Sequence, residues 1–212
     1  MLALIKKDFK LNFAVKSSLI SLVLLVPFMV FIMEINNIDR IYPFVILSFG
    51  YILTNIPFKY EAREKPHLLM QSLPIKKRDI VISKYITALI NYCIALAIAW
   101  ILFNLIDLIY FKTEMSLNLK VIKETFFAYI LITSINLPSQ FRFSHKLANV
   151  VNVFVYVIIV NFFIFMADET TIIKLLNKSI LIDDLLVLVV TAIIYFISMI
   201  LSIYLYKTRD LY

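Results

Sequence analysis

Residues 85–108 read YITALINYCIALAIAWILFNLIDL, a run with one charged side chain, Asp107, near its end. About 20 predominantly apolar residues are what an α-helix needs to cross the hydrocarbon of a bilayer. Further apolar stretches fall at 17–35, 41–58, 125–141, 147–167 and 184–206. The chain therefore reads as an all-α membrane protein with six transmembrane helices in a single transmembrane domain, 1–212. Composition agrees, with 62% hydrophobic and 17% charged residues, against roughly 45–50% and about 25% in soluble domains. The 125–141 stretch is the most polar, because Asn136, Pro138, Ser139 and Gln140 occupy its second half. The sequence predicts that it enters the bilayer broken or tilted.

Charge sets the orientation. With six spans the two termini share a side, and fifteen of the 21 Lys and Arg residues lie on it: before the first span, in 59–84, in 142–146 and after the last span. The positive-inside rule then predicts cytoplasmic termini in a plasma membrane. The net charge of +7 is explained by these connections, so no nucleic acid partner is implied. The first span ends in Phe31-Ile32-Met33-Glu34 with no small-residue cleavage site, and is read as retained. Residues 1–16 differ from a span. Leu2, Ile5, Phe9 and Phe13 recur at helical spacing with Lys6, Lys7 and Lys10 set apart, which suits an amphipathic interfacial helix on the cytoplasmic leaflet or a basic flank of the first span. The lysine, isoleucine and asparagine bias suits a bacterial source.

Several chemistries are excluded by count. Gly50 is the only glycine, so no phosphate-cradling loop can be built, and any ATP and Mg would be bound by another subunit. Cys93 alone makes no internal disulfide, and His67 and His145 do not suffice for a zinc centre, so no catalytic or metal-ligating residue is assigned. An intramembrane hydrolase is disfavoured because both histidines fall in the connections.

The largest polar insertion is 59–84, KYEAREKPHLLMQSLPIKKRDIVISK. Pro66 suits the first turn of a helix and Pro74 ends one, so His67–Leu73 can form about two turns with Leu69 and Leu73 on one face. Exposed Leu68, Leu69, Met70 and Leu73 call for a partner, and Asp79 complements the dipole of the helix that follows.

The stretch from Leu69 to Tyr85 resembles the Leu-Leu-x-Ser-Leu-Pro-(Val/Ile)-x-(Arg/Lys)-x-x-Ile-Val-x-(Ser/Ala)-Lys-Tyr segment of ABC-2 type transporter permeases. The opening Leu4-Ile5-Lys6-Lys7-Asp8 and the acidic Glu61 and Glu64 agree with it. So does Pro138-Ser139-Gln140-Phe141-Arg142-Phe143-Ser144-His145-Lys146-Leu147-Ala148, where Ser144 stands in place of the usual glycine. Within that family the likeness is to membrane subunits of staphylococcal phenol-soluble-modulin exporters. The resemblance implies a cytoplasmic coupling helix between spans two and three that docks on a separate ATP-binding subunit. Leu68, Leu69, Ser72, Leu73 and Pro74 would form the docked element, with Glu61, Arg63 and Glu64 in rim ion pairs. It also implies a second permease subunit, identical or homologous, and export of an amphipathic peptide. Lipid or drug cargo, or a non-transporting immunity or regulatory protein that binds an ABC ATPase, are the alternatives.

Polar stripes are the candidates for a translocation path: Ser48, Tyr51 and Asn55 in the second span, Asn152 and Tyr156 with Asn149 in the fifth, and Ser198 and Ser202 with Tyr195 and Tyr206 in the sixth. Such residues also bond across packed helices, as Asn91, Asn104 and Asn161 would. Mid-span Lys and Arg are lacking, which argues against an ion relay. Tyr42 and Tyr110 read as interfacial aromatics, and 168–183 as the outer gate.

Overall fold

The computed structural model describes residues 1–14, 38–64, 76–110, 119–166 and 184–208. They form six helices: α1 (Leu2–Ala14), α2 (Ile38–Glu64), α3 (Lys77–Tyr110), α4 (Leu119–Arg142), α5 (His145–Met166) and α6 (Asp184–Thr208). The 17–35 span lies outside the described residues. Four helices are long and apolar enough to cross a membrane, within Ile41–Ala62, Lys77–Leu105, His145–Phe162 and Leu186–Thr208. The fifth long helix, α4, occupies the middle of the bundle, packed on α6 and α5 on one side and on α2 and α3 on the other.

The position of α4 accounts for its polarity. Thr125, Thr133, Ser134, Asn136, Ser139 and Gln140 are all buried, so lipid does not bathe them; Thr125, Ser139 and Gln140 reach side chains of neighbouring helices, while Thr133 bonds carbonyls of its own helix. Instead of breaking at Pro138, α4 runs as one helix to Arg142. Proline has no N–H to give the carbonyl four residues earlier, which is that of Ser134. The hydroxyl of Ser198 in α6 donates to that carbonyl at 2.7 Å. The helix is thus kept continuous by a donor from outside it.

Gly50 sits where two helices meet most closely. A Cβ there would lie 2.7 Å from Cε2 and 3.0 Å from Cδ2 of Tyr129 on α4. The Tyr129 hydroxyl donates to the Ala88 carbonyl of α3 at 2.7 Å and lies 2.7 Å from Thr54 Oγ1 on α2, so one buried ring joins three helices. Near the other end of α2, Tyr42 stacks on Phe103 with ring centroids 3.6 Å apart. Tyr42 is buried against this partner, at the end of the candidate span Ile41–Ala62; the Tyr110 side chain lies outside the described residues.

Both ends of the described chain lie on one face of the bundle. Lys84, two turns into α3, contacts α1, and Lys77, at its start, lies 5.9 Å from the centroid of the Tyr206 ring near the end of α6. Phe141, closing α4, contacts Phe58 of α2 and Tyr206 at the same level. The residues on α1 that face the bundle are Asp8 and Asn12, both buried, while Leu2 is 84% exposed. Asn12 bonds Asn91 and Asp8 bonds Lys84, so the contacts advance together along α1 and α3. The N-terminal helix is therefore fastened to α3 through polar groups, a feature absent from the amphipathic reading of residues 1–16.

Candidate functional site

Four charged side chains from three helices converge where α1 meets α2 and α3. Lys84, 5% exposed, places Nζ 3.0 Å from Asp8 Oδ1 and 2.8 Å from Glu61 Oε1. Lys7 lies 2.7 Å from the same Glu61 oxygen and 3.7 Å from Asp8 Oδ1. The Phe58 ring centroid is 4.6 Å from Lys84 Nζ, a cation–π contact on a further side of the ammonium. Two carboxylates and two ammoniums give no net charge, and only such balance makes a buried lysine tolerable. One step further along α1, Asn12 Nδ2 donates to Asn91 Oδ1 at 2.9 Å. Asn12 Oδ1 and Asn91 Nδ2 have no partner, leaving a complementary acceptor and donor in a buried place.

This junction sits beside the ends of α2 and α3, which frame the connection that the sequence singles out. Glu61 was expected in rim ion pairs with a partner subunit; here it is paired within the chain, to Lys7 and Lys84. Glu64 is the last residue of α2, with its side chain outside the described residues. Leu68, Leu69, Ser72, Leu73 and Pro74 also lie outside them, as does 168–183. Beyond the connection, the Asp79 amide donates to the Lys76 carbonyl at 2.9 Å, and Asp79 takes the first turn of α3.

Two of the polar stripes meet. Tyr51 of α2 stacks on Tyr156 of α5 with centroids 4.5 Å apart. Ser48 donates to the Phe44 carbonyl, so the Tyr156 hydroxyl, 2.5 Å away, is the donor to Ser48 Oγ. Lower in the same seam, Asn55 Oδ1 accepts from Asn152 Nδ2 and Gln140 Nε2, each at 3.4 Å, and Ser139 Oγ lies 2.6 Å from Asn152 Oδ1. The third stripe lies apart. Ser198 and Ser202 flank the Tyr85 hydroxyl at 2.7 and 2.8 Å, and Tyr195 donates to the Tyr85 carbonyl at 2.8 Å. Because Ser198 gives its proton to Ser134, the order of donation runs from Ser202 through Tyr85 and Ser198 to the Ser134 carbonyl. Of the remaining asparagines, Asn149 bonds His145, whereas Asn104 and Asn161 are exposed and bond carbonyls of their own helices.

Asp8, Asn12, Lys84, Tyr85 and Tyr129 were not singled out for roles in the sequence, although Asp8, Lys84 and Tyr85 fell inside quoted motifs. A signal was present for two of them. Asp8 is the only acidic residue before Glu34, and Lys84 interrupts the apolar run that begins at Ile80.

Neither a curated protein nor a solved structure matches the chain. A family profile described as ABC-2 family transporter protein does match it, over residues 3–207, from α1 to the last turn of α6. That span covers every helix described above, and with it the charged junction between α1 and the ends of α2 and α3: the chain belongs to the ABC-2 transporter family, as a membrane component of an ABC transporter.

Proposed function

We propose that this chain is the permease subunit of an ATP-driven exporter that moves amphipathic, phenol-soluble-modulin-like peptides out of a bacterial cell. The connection between α2 and α3 is its coupling element: Leu68, Leu69 and Leu73 bury in a cleft of a separate ATP-binding subunit, with Ser72 and Pro74 shaping the turn and Glu64 at the rim. That subunit holds ATP and Mg. A second permease subunit completes the path, both termini face the cytoplasm, and closure of the two ATPases alternates access to the cavity between the permeases.

The observation that carries this reading is the charged junction. Lys84 and Glu61 belong to the two helices that frame the coupling connection, and both are tied to α1. A force applied to the connection then moves α1, α2 and α3 together, because separating them would strand buried charge. The seam of Tyr51, Asn55, Asn152 and Tyr156 between α2 and α5 supports a path that opens by parting those helices.

Co-purification with an ABC ATPase subunit in mild detergent tests the reading. The wild-type pair is expected to hydrolyse ATP faster when amphipathic peptides are added, and the chain with Leu69→Asp and Leu73→Asp is expected to insert in the membrane yet lose the ATPase subunit. Retained binding by that variant refutes the coupling assignment; absence of peptide stimulation refutes the cargo.

A further inference from the structure

The face of the bundle where the helix ends gather carries cations that form no ion pair among the described residues. Its described carboxylates are Asp8 and Glu61, both engaged by Lys84 and Lys7, and Asp79 in the first turn of α3. Lys59, Arg142 and Lys146 are exposed and form no ion pair among the described residues. They belong to helix ends that touch. The rings of Phe58 and Phe141 meet edge to face at 5.9 Å, so Lys59 and Arg142 follow directly from two touching residues at the ends of α2 and α4. Lys59 is close enough for its charge to act on His145, one residue before Lys146.

Apolar side chains are interleaved with these cations. Phe143 is 44% exposed, Leu147 59% and Tyr60 38%. A surface that presents bare cations to water needs no such residues beside them, and a rim for a soluble protein would place its apolar groups at the centre of the patch. Alternating aromatic or aliphatic and cationic side chains fit the level of a bilayer where acyl chains give way to phosphates. On α1, Leu2, Lys6 and Lys10 repeat the arrangement, all exposed.

We propose that the junction of α2 with the turn between α4 and α5 binds the headgroups of anionic phospholipids, with Lys59, Arg142 and Lys146 holding the phosphate and Phe143 and Leu147 seated among the acyl chains. Charge complementarity selects the occupant: zwitterionic lipid offers no net charge to three exposed cations that have no ion-pair partner among the described residues. This site is independent of the coupling connection and stands whether or not an ATPase docks there.

The test uses the full chain purified in mild detergent with equimolar phosphatidylglycerol and phosphatidylcholine, the retained lipids being counted by native mass spectrometry. The wild type is expected to retain phosphatidylglycerol preferentially, and each charge removed in Arg142→Gln/Lys146→Gln should lower that preference about fivefold, the effect of one cation at an anionic surface. Lys123→Gln, at the opposite end of α4, should leave it unchanged, and Arg142→Lys/Lys146→Arg should keep it. Equal retention of the two lipids by the wild type overturns the proposal, as does an unchanged preference in the glutamine chain or loss of preference in the charge-conserving one. Displacement of the lipid by inorganic phosphate alone would make it a free-anion site. Loss of ATPase-subunit capture by the glutamine chain with lipid preference unaltered would assign the surface to a protein.

Discussion

Replacing Lys84 by methionine removes the central cation of the junction and keeps most of its volume. The two carboxylates do not suffer equally. Glu61 retains Lys7 at 2.7 Å, but Asp8, 1% exposed, keeps only the 3.7 Å contact with Lys7. Removing one partner of a buried ion pair costs about 3–5 kcal/mol because the other charge is left uncompensated; with Lys7 nearby, the lower end, about 3 kcal/mol, applies here. Asp8→Asn alone leaves Lys84 paired with Glu61, so its cost should be smaller, about 1–2 kcal/mol for one charged hydrogen bond. In the double variant no isolated charge remains at Asp8, and the loss should fall below the sum of the two single losses by at least about 1 kcal/mol. The measurement is SDS-driven unfolding of the chain in mixed micelles, followed for the wild type, both single variants and the double variant. Additive losses would show that Lys84 and Asp8 do not interact energetically, and would remove the link between α1 and α3 on which the proposed transmission rests.

Gly50→Ala should destabilise the same preparation by about 1–3 kcal/mol, the usual cost of overpacking, because the new Cβ meets the Tyr129 ring at 2.7 Å and that ring is held by bonds to α2 and α3; no loss in the SDS titration would refute that close approach. Ser198→Ala should cost about 1–2 kcal/mol by leaving the Ser134 carbonyl without a donor, and markedly less when combined with Pro138→Ala, whose restored N–H serves that carbonyl; an equal cost in both backgrounds would refute the compensation. Cysteine introduced at Lys76 should label in intact cells only with a permeant reagent, whereas cysteine at Lys174 should label from outside; the reverse pattern would invert the predicted orientation. Tyr156→Phe should cost about 1 kcal/mol, the hydrogen bond to Ser48, while the stacking on Tyr51 persists; a loss several times larger in the same titration would show that the hydroxyl organises more of the α2–α5 seam than this bond.

Helices in this chain were legible to the extent that lipid contact dictates their composition. Leu186–Thr208 faces outward on most of its circumference, so its apolarity is nearly uniform and its place is read directly. At α4 the same rule misleads. Its neighbours surround it, so Thr133, Ser134, Asn136, Ser139 and Gln140 are buried without touching lipid, and a low hydropathy there reports a central position in the bundle. Of the two expected forms, broken or tilted, the broken one is not adopted for a related reason: the carbonyl that proline leaves without a donor is served by Ser198, 60 residues later in the chain. No local pattern carries that information, since the donor and acceptor are brought together only by the packing of α6 on α4.

The charged junction shows the same division between local and tertiary information. Counting Lys84 among the cations that orient the chain treats it as a solvated charge, on the same footing as Lys76 and Lys77, which are exposed. What separates them is phase. Lys84 falls on the side of α3 that also presents Val81, Tyr85 and Ala88, all buried, so its ammonium is directed into the bundle, whereas Lys76 and Lys77 stay exposed at the start of the helix. A lysine in that phase requires carboxylates from other elements, and among the described residues only Asp8 and Glu61 provide them. Once the requirement is stated, the position of α1 is no longer free: an aspartate that must reach Lys84 draws the N-terminal helix onto α3, with Asp8 and Asn12 turned inward and Leu2 turned out. Leu2 and Phe9, the exposed members of its apolar pattern, describe the outer side of that helix. One buried lysine determines the inner.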